Sequence, residues 1–434
     1  MIAVVRIYVS SVFLFLALVH PLLAQEQVNG IGGKQTKLQA DRCLEIPLPL
    51  PPGSKTFYVN LSDSADNLIS TYLVFSDTSL PQPMYSAERI CFDDRVWQAP
   101  RIYDDAPDSL NYPNVRAFYY AGLDYQGHPT KVFAYAGFPA KASSASKVPA
   151  VVLVHGGGGT AFPQWVKAWN DEGFAAIAMD LEGHQPSSSH DLSLLLSEHV
   201  LGGPRNVMFE DIGKSIRDQW LYHAVADVYI AYSLLASDER VDRRRIGVTG
   251  ISWGGIITSI AVGNADCFAF AIPVYGCGFL HTSKAMYRKT FTDHVAKLWD
   301  PSRWLRLIKT PTFWINGESD PIFSIDATTK SARATPNSHL TIIPDLLHSH
   351  IHGWSPREIV AFTKSVVSGG KGPLRIRRQP TWNDPTIEID VTGSYGLKSV
   401  MLISSQDTLG YDAQNHLTTV WLRRLIDPQV FSAE

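Results

Sequence analysis

The sequence predicts an α/β fold, a mostly parallel sheet with helices on both faces, flanked by small N- and C-terminal β-rich units. Three observations carry that reading. From Asn114 onward, short apolar runs alternate with segments of helical period. Two glycine-rich turns each follow an apolar, strand-like run directly. The segments before 114 and after 368 show strand-like alternation without helical period.

Composition agrees. The chain has 434 residues, which at roughly 150 per domain allows about three units. Hydrophobic residues make up 45% and charged residues 18%. A charge fraction below the roughly 25% of ordinary soluble domains excludes wholesale disorder. Aromatic residues reach 11%, which suits a large core or a saccharide-binding surface. Lys plus Arg is 38 against 41 Asp plus Glu, a net charge of −3, so no basic excess argues for nucleic acid. No internal repeat is present.

In chain order, residues 1–24 read as a signal peptide. Arg6 supplies the positive end, Ile7 to Val19 the apolar run, and His20 to Ala24 the region before a cut ahead of Gln25. The run falls short of the roughly 20 residues a membrane-spanning helix needs. The expected product is exported, secreted or periplasmic, with no stable membrane insertion after cleavage. Export permits disulfides, and Cys43 and Cys91 could pair. Cys267 and Cys277 bracket an apolar strand-like stretch and stand too far apart, because bridged Cα atoms lie within about 7 Å.

Residues 25–113 read as the N-terminal β-rich unit, with strands at 56–60 and 69–75 around a turn at 62–66. Asn60-Leu61-Ser62 matches a glycosylation acceptor by chance. Residues 114–368 form the catalytic domain. A hairpin (115–120 and 130–135) opens it. Strand 150–154, a helix led by Pro163 with Phe162, Trp165, Val166 and Trp169 on one face, and strand 174–179 follow. A long helix spans 220–236. Strand 245–249, a helix from Gly254, strands 311–315 and 339–343, and a helix over 356–367 complete it. Ser368 to Pro373 is a linker. Residues 369–434 are the C-terminal β-rich unit, with strands 386–391 and 399–404 around a turn at Gly393 to Gly396; so small a unit packs on its neighbours.

Gly250-Ile251-Ser252-Trp253-Gly254 fits G-x-S-x-G at a strand-to-helix turn, where glycines permit the strained backbone that lifts a serine hydroxyl clear of the sheet. His155-Gly156-Gly157-Gly158-Gly159-Thr160 follows the first buried strand, and glycines there let amides approach a developing oxyanion. The expected donors are Trp253, the residue after the nucleophile, and Gly157. A nucleotide-binding loop is disfavoured, for want of the register and partner residues it needs. Asp320, at the end of a strand and turn, is the expected acid, ahead of Glu318 in the tight part of that turn. His348 is the expected base and His350 the alternative, with His352 third. The order Ser, Asp, His runs through the chain.

These motifs resemble the α/β-hydrolase superfamily. With Pro273 to Gly278, Gly317 to Asp320 and His348 to Trp354, the stretch from about 114 to 368 is similar to a secreted bacterial branch. That branch gathers acetylxylan-esterase-like, dienelactone-hydrolase-like and prolyl-oligopeptidase-like domains. The resemblance implies the α/β-hydrolase fold and an esterase acting on a small-molecule or saccharide ester, with a short acyl group on a sugar preferred. A peptidase or amidase is the second reading, and the lack of a propeller domain weighs against it. A glycan-binding protein on a dead hydrolase scaffold is the third. No cofactor and no metal is expected, although His348, His350 and His352 form a tempting triplet. Asp180, Glu182 and His184 line the site or shape a loop. Tyr287 and Trp304, in the insertion from Phe279 to Ile308, wall a pocket or pack the core.

Overall fold

The computed structural model describes residues 43–47, 54–71, 85, 87–106, 112–186, 196–198, 202–370, 372–374, 376, 386–390, 397–406, 409–412 and 417–426. The expected signal peptide and the turn at 393–396 lie outside them.

The strands in chain order are β1 (Cys43–Pro47), β2 (Thr56–Asp63), β3 (Leu68–Ser70), β4 (Ile102–Tyr103), β5 (Val115–Ala121), β6 (Lys131–Gly137), β7 (Val148–Val154), β8 (Ala175–Met179), β9 (His184–Pro186), β10 (Leu196–Glu198), β11 (Val241–Ile251), β12 (Ala271–Val274), β13 (Thr312–Gly317), β14 (Ser338–Ile343), β15 (Thr386–Asp390), β16 (Leu397–Ser405) and β17 (Leu422–Ile426). The helices are α1 (Pro163–Asp171), α2 (Trp220–Ser237), α3 (Trp253–Asn264), α4 (Asp293–Trp299), α5 (Ile325–Ala334), α6 (His350–Trp354) and α7 (Arg357–Ser368).

Nine strands form the main sheet in the order β14-β13-β12-β11-β7-β8-β6-β5-β4. The six from β14 to β8 are parallel, and β6, β5 and β4 close the edge antiparallel. Covered on both faces, the central strands bury nearly every side chain; β8 is fully buried and so is β13. That burial is why these runs carry no polar alternation. On α1, Trp165, Val166 and Trp169 face the sheet, each contributing about 1.5–3 kcal/mol of apolar burial. Glycine follows the helix at Gly173 with φ +91°, ending it as expected.

The flanking segments differ from the sequence reading. Strands 386–391 and 399–404 do not pair around a shared turn. Instead β15 pairs with β1, and β16 sits between β2 and β17 in a four-stranded sheet, β17-β16-β2-β3. β15 and β1 remain a two-stranded pair, while for β16 the strands β2 and β3 from the N-terminal segment supply the apolar face that a lone hairpin lacks. This sheet lies along β14. Ile342 N donates to Ser70 Oγ at 2.8 Å, and Asn60 Nδ2 donates to the Ile342 carbonyl at 3.3 Å. Asn60 is thus buried in that junction. Other described residues of the N-terminal segment join the main domain: β4 extends its sheet, while Phe92 stacks on Tyr222 of α2 at 4.8 Å. Cys91 carries a free, exposed thiol, so the pairing with Cys43 is not formed; Cys267 and Cys277 are free as well. No helix among the described residues is long and apolar enough to cross a membrane.

Candidate active site

Parallel strands present their C-terminal ends on one side, and three of them supply the site. Ser252 follows β11 and precedes α3, with φ 58° and ψ −116°. A non-glycine residue held there stores on the order of 1–3 kcal/mol of strain. Its surroundings enforce the turn. A Cβ on Gly250 would fall 2.1 Å from the Gly254 carbonyl oxygen, and one on Gly254 would fall 2.0 Å from that of Val154. The Ser252 amide donates to the Val274 carbonyl at 2.9 Å, anchoring the elbow to β12.

Asp320 sits three residues beyond β13 and is buried. Its Oδ1 accepts from the amides of Ile322 and Phe323, both at 2.8 Å. Its Oδ2 accepts from His348 Nδ1 at 2.6 Å. His348 Nε2 stands 2.9 Å from Ser252 Oγ. With Nδ1–H donating to the carboxylate, Nε2 is left to accept the serine hydroxyl. Phe323 stacks on the imidazole at 5.9 Å and 12°, and Tyr275 lies 4.5 Å from it on a tilted plane. Tyr275 also donates its hydroxyl to the Leu347 carbonyl at 2.6 Å, pinning the residue before His348. Tyr275 lies in the Pro273–Gly278 motif, and its task is set only by contacts made on folding.

The histidine triplet diverges. His350, the alternative base, does not reach Ser252. Its Nε2 accepts from the Gly156 amide at 3.0 Å, because α6 begins there and turns the side chain toward the glycine loop. Burial, then the neighbouring His155 and His348, push its pKa down to about 3. His352 Nδ1 pairs with Ser349 Oγ at 2.7 Å. The three rings have three different sets of partners. Glu318 also stands apart from the base: the Tyr58 hydroxyl and Arg423 clasp it from β2 and β17.

The glycine loop lies beside the elbow. A Cβ on Gly157 would come 2.8 Å from Trp253 Cδ1, and one on Gly156 would come 3.0 Å from Ser252 Cβ. The two expected oxyanion donors are therefore neighbours. His155 shapes the loop from below, accepting from the Leu181 amide at 2.9 Å and lying 2.7 Å from the Gly156 carbonyl through Nδ1. Burial lowers its pKa, with Glu182 acting against that. Asp180 accepts from the amides of Glu182 and His184 at 2.9 and 2.7 Å, which is a loop-shaping task. Trp304 is core: fully buried, its Nε1 donates to the Glu88 carbonyl at 2.9 Å. The Tyr287 side chain lies outside the described residues. Two surface cavities, of about 860 and 510 Å³, open between β5, β6 and the end of α2, and between α1 and α7; neither is lined by Ser252, Asp320 or His348.

Residues 107–294 match the family model "Acetyl xylan esterase (AXE1)". Among curated proteins, an uncharacterized peptidase, YuxL of Bacillus subtilis (strain 168), is 23% identical over 201 residues. That is 42% of this chain and 27% of the relative, so the match spans about a quarter of the relative's length. Among solved structures, an acetyl xylan esterase from Paenibacillus sp. R4 is 17% identical at a TM-score of 0.48, covering 64% of this chain and 96% of its own. An acylaminoacyl peptidase of Pyrococcus horikoshii is 18% identical at 0.42, covering 56% and 40%. The sheet order and the strand–serine–helix elbow give the chain the α/β-hydrolase fold, and the stretch that resembles the acetyl xylan esterase family spans less than half of it.

Proposed function

We propose that the protein is an exported serine hydrolase of carboxylic esters, with a short acyl group on a saccharide as its substrate class. The observation that carries the reading is the hydrogen-bonded relay through His348, 2.6 Å to Asp320 on one side and 2.9 Å to Ser252 on the other. Ser252 Oγ attacks the acyl carbon while its proton passes to His348 Nε2. Asp320 orients the imidazole and stabilises its positive charge. The amides of Trp253 and Gly157 receive the oxyanion, a pair of donors of the kind whose single loss costs roughly 100- to 1,000-fold in rate. The ester C–O bond breaks as His348 returns the proton to the leaving alcohol. Water then attacks the acyl-enzyme, giving its proton to His348, and Ser252 departs with that proton as the acid is released.

The match of residues 107–294 to acetyl xylan esterases supports an acetylated sugar. The chain's own residues suffice for this chemistry without a metal. The test is a panel of acetylated oligosaccharides, p-nitrophenyl esters and peptide amides offered to the wild type and to Ser252→Ala. Hydrolysis of the sugar acetates and simple esters, lost in the variant, is the expected result. Faster cleavage of the peptide amides overturns the ester assignment. Sequencing the N-terminus of exported protein checks the leader, with Gln25 as the expected first residue.

A further inference from the structure

We infer that His350 is the positioning residue of the oxyanion loop, its neutral imidazole bracketing Gly156 so that the next amide, that of Gly157, stays aimed at the reacting carbonyl. The inference rests on the ester-hydrolase reading for its kinetic consequence and on geometry alone for its structural one.

The loop needs an external bracket. Its internal ties are few: Gly159 N donates to the Gly156 carbonyl at 3.0 Å, and Gly158 turns through φ +68°. Consecutive glycines carry no side chains to hold such a turn, and their backbone is the freest available. Beside His155 at the Gly156 carbonyl and Glu182 at the Gly158 amide, His350 Nε2 supplies the restraint on the Gly156 N–H, accepting it at 3.0 Å. The fit is close on two sides. A Cβ at Gly159 would stand 2.6 Å from His350 Nε2, and one at Gly156 would stand 3.1 Å from it. A methyl group at Gly159 would therefore clash with the ring edge, and one at Gly156 would press against it.

The ring is itself held. Ser349 caps α6 through the His352 amide at 3.2 Å, and a Cβ on Gly353 would lie 3.0 Å from both Ile251 and Tyr275. The helix thus rests directly on the strand that carries the nucleophile. Phe162 packs against the His350 ring at 4.9 Å and against Trp354 at 5.4 Å. A group fixed by its own backbone and by Phe162 imposes its position on the loop rather than following it. Because Nε2 accepts, the ring proton sits on Nδ1. The burial that disfavours the imidazolium keeps that acceptor available. His350 lies two positions after His348, so one short segment sets both the base and the oxyanion loop.

His350→Phe keeps the ring and removes the acceptor; His350→Gln restores an acceptor near the Nε2 position. Gly159→Ala attacks the same contact from the other side. We expect His350→Phe and Gly159→Ala to lower kcat for p-nitrophenyl acetate about 10- to 100-fold, with KM held within about twofold and a matching loss of affinity for a trifluoromethyl ketone. His350→Gln should retain a third or more of wild-type kcat. Amide hydrogen exchange of the peptide covering 152–162, read by mass spectrometry, should quicken in the Phe variant and not in the Gln variant. Wild-type kcat in His350→Phe overturns the inference, and so does equal impairment of the Phe and Gln variants. If the wild type shows no ester turnover, the proposed function fails by itself, and the exchange experiment still decides: unchanged exchange in His350→Phe overturns the bracket.

Discussion

Replacing Tyr58 with Phe should destabilise the protein through a group 260 residues away in sequence. Tyr58 is fully buried, and its hydroxyl donates to Glu318, which is 3% exposed. Burial, then the negative charge of Glu318, raise the Tyr58 pKa far above the ordinary phenol value, so the hydroxyl keeps its proton and remains a donor. The Phe side chain preserves the ring and its edge-on contact with Trp421 at 5.5 Å. What disappears is one hydrogen bond to a buried carboxylate, a loss of about 1.5–3 kcal/mol. Arg423, whose side chain is 41% exposed, still faces Glu318 but is partly screened by solvent and does not replace the buried donor. Arg423→Met should cost less alone. The double variant should show a coupling of about 0.5 kcal/mol or more, since both partners hold one carboxylate. Urea unfolding at neutral pH reads all three. A Tyr58→Phe loss below about 0.5 kcal/mol would falsify the claim that the terminal sheet is locked to the Glu318 turn.

Acid should weaken the fold through His350. Its folded pKa of about 3 lies below the ordinary value, with burial first and His155 and His348 next as causes. The unfolded chain therefore takes the proton first, and stability falls as pH drops from about 6.5 toward 3. At pH 4.5 this amounts to at most about 3 kcal/mol, and His350→Gln should flatten that part of the urea-unfolding profile. Asp300 behaves oppositely. It is fully buried and accepts from the amides of Phe279, Leu280 and Ser302, each at 2.8 Å, and from His281. Burial raises its pKa, but these partners outweigh it and hold the value low, so its stabilisation is present above the ordinary Asp pKa and is lost as pH falls from there through the lowered folded value. Asp300→Asn should cost about 3 kcal/mol by turning an amide donor toward donors; an unchanged melting temperature contradicts that. Cys91 should take iodoacetamide in the folded protein, whereas Cys277, whose thiol burial raises well above its ordinary pKa, should not; labelling of Cys277 before unfolding counts against the packing described.

The parallel core was legible because strands buried on both faces are continuous apolar runs, as in Ala150 to Val154. Its neighbours were not all so plain. Strand β17 reads Leu-Arg-Arg-Leu-Ile and is mostly exposed, and α5 is built from small and polar residues that happen to be buried. Neither has the pattern its type usually shows. The pairing of β2 with β16 joins residues more than three hundred apart, which no local signal announces. At the site, Ser252, Asp320 and His348 are candidates in the sequence because each follows a strand in a short motif, and the fold brings their side chains within hydrogen-bond distance. His350, Tyr275 and Glu318 were harder, since their tasks depend on contacts with Gly156, Leu347 and Tyr58 made only after folding. The free Cys91 shows the same limit: an oxidising compartment would permit a bridge, but geometry decides it.

The central claim is that Ser252 is a nucleophile activated by His348. The most direct measurement is mass spectrometry of the protein after brief exposure to a fluorophosphonate. We expect one adduct, on the peptide containing Ser252, absent in Ser252→Ala and slowed by several orders of magnitude in His348→Ala. An adduct on another serine, or undiminished labelling in His348→Ala, contradicts it.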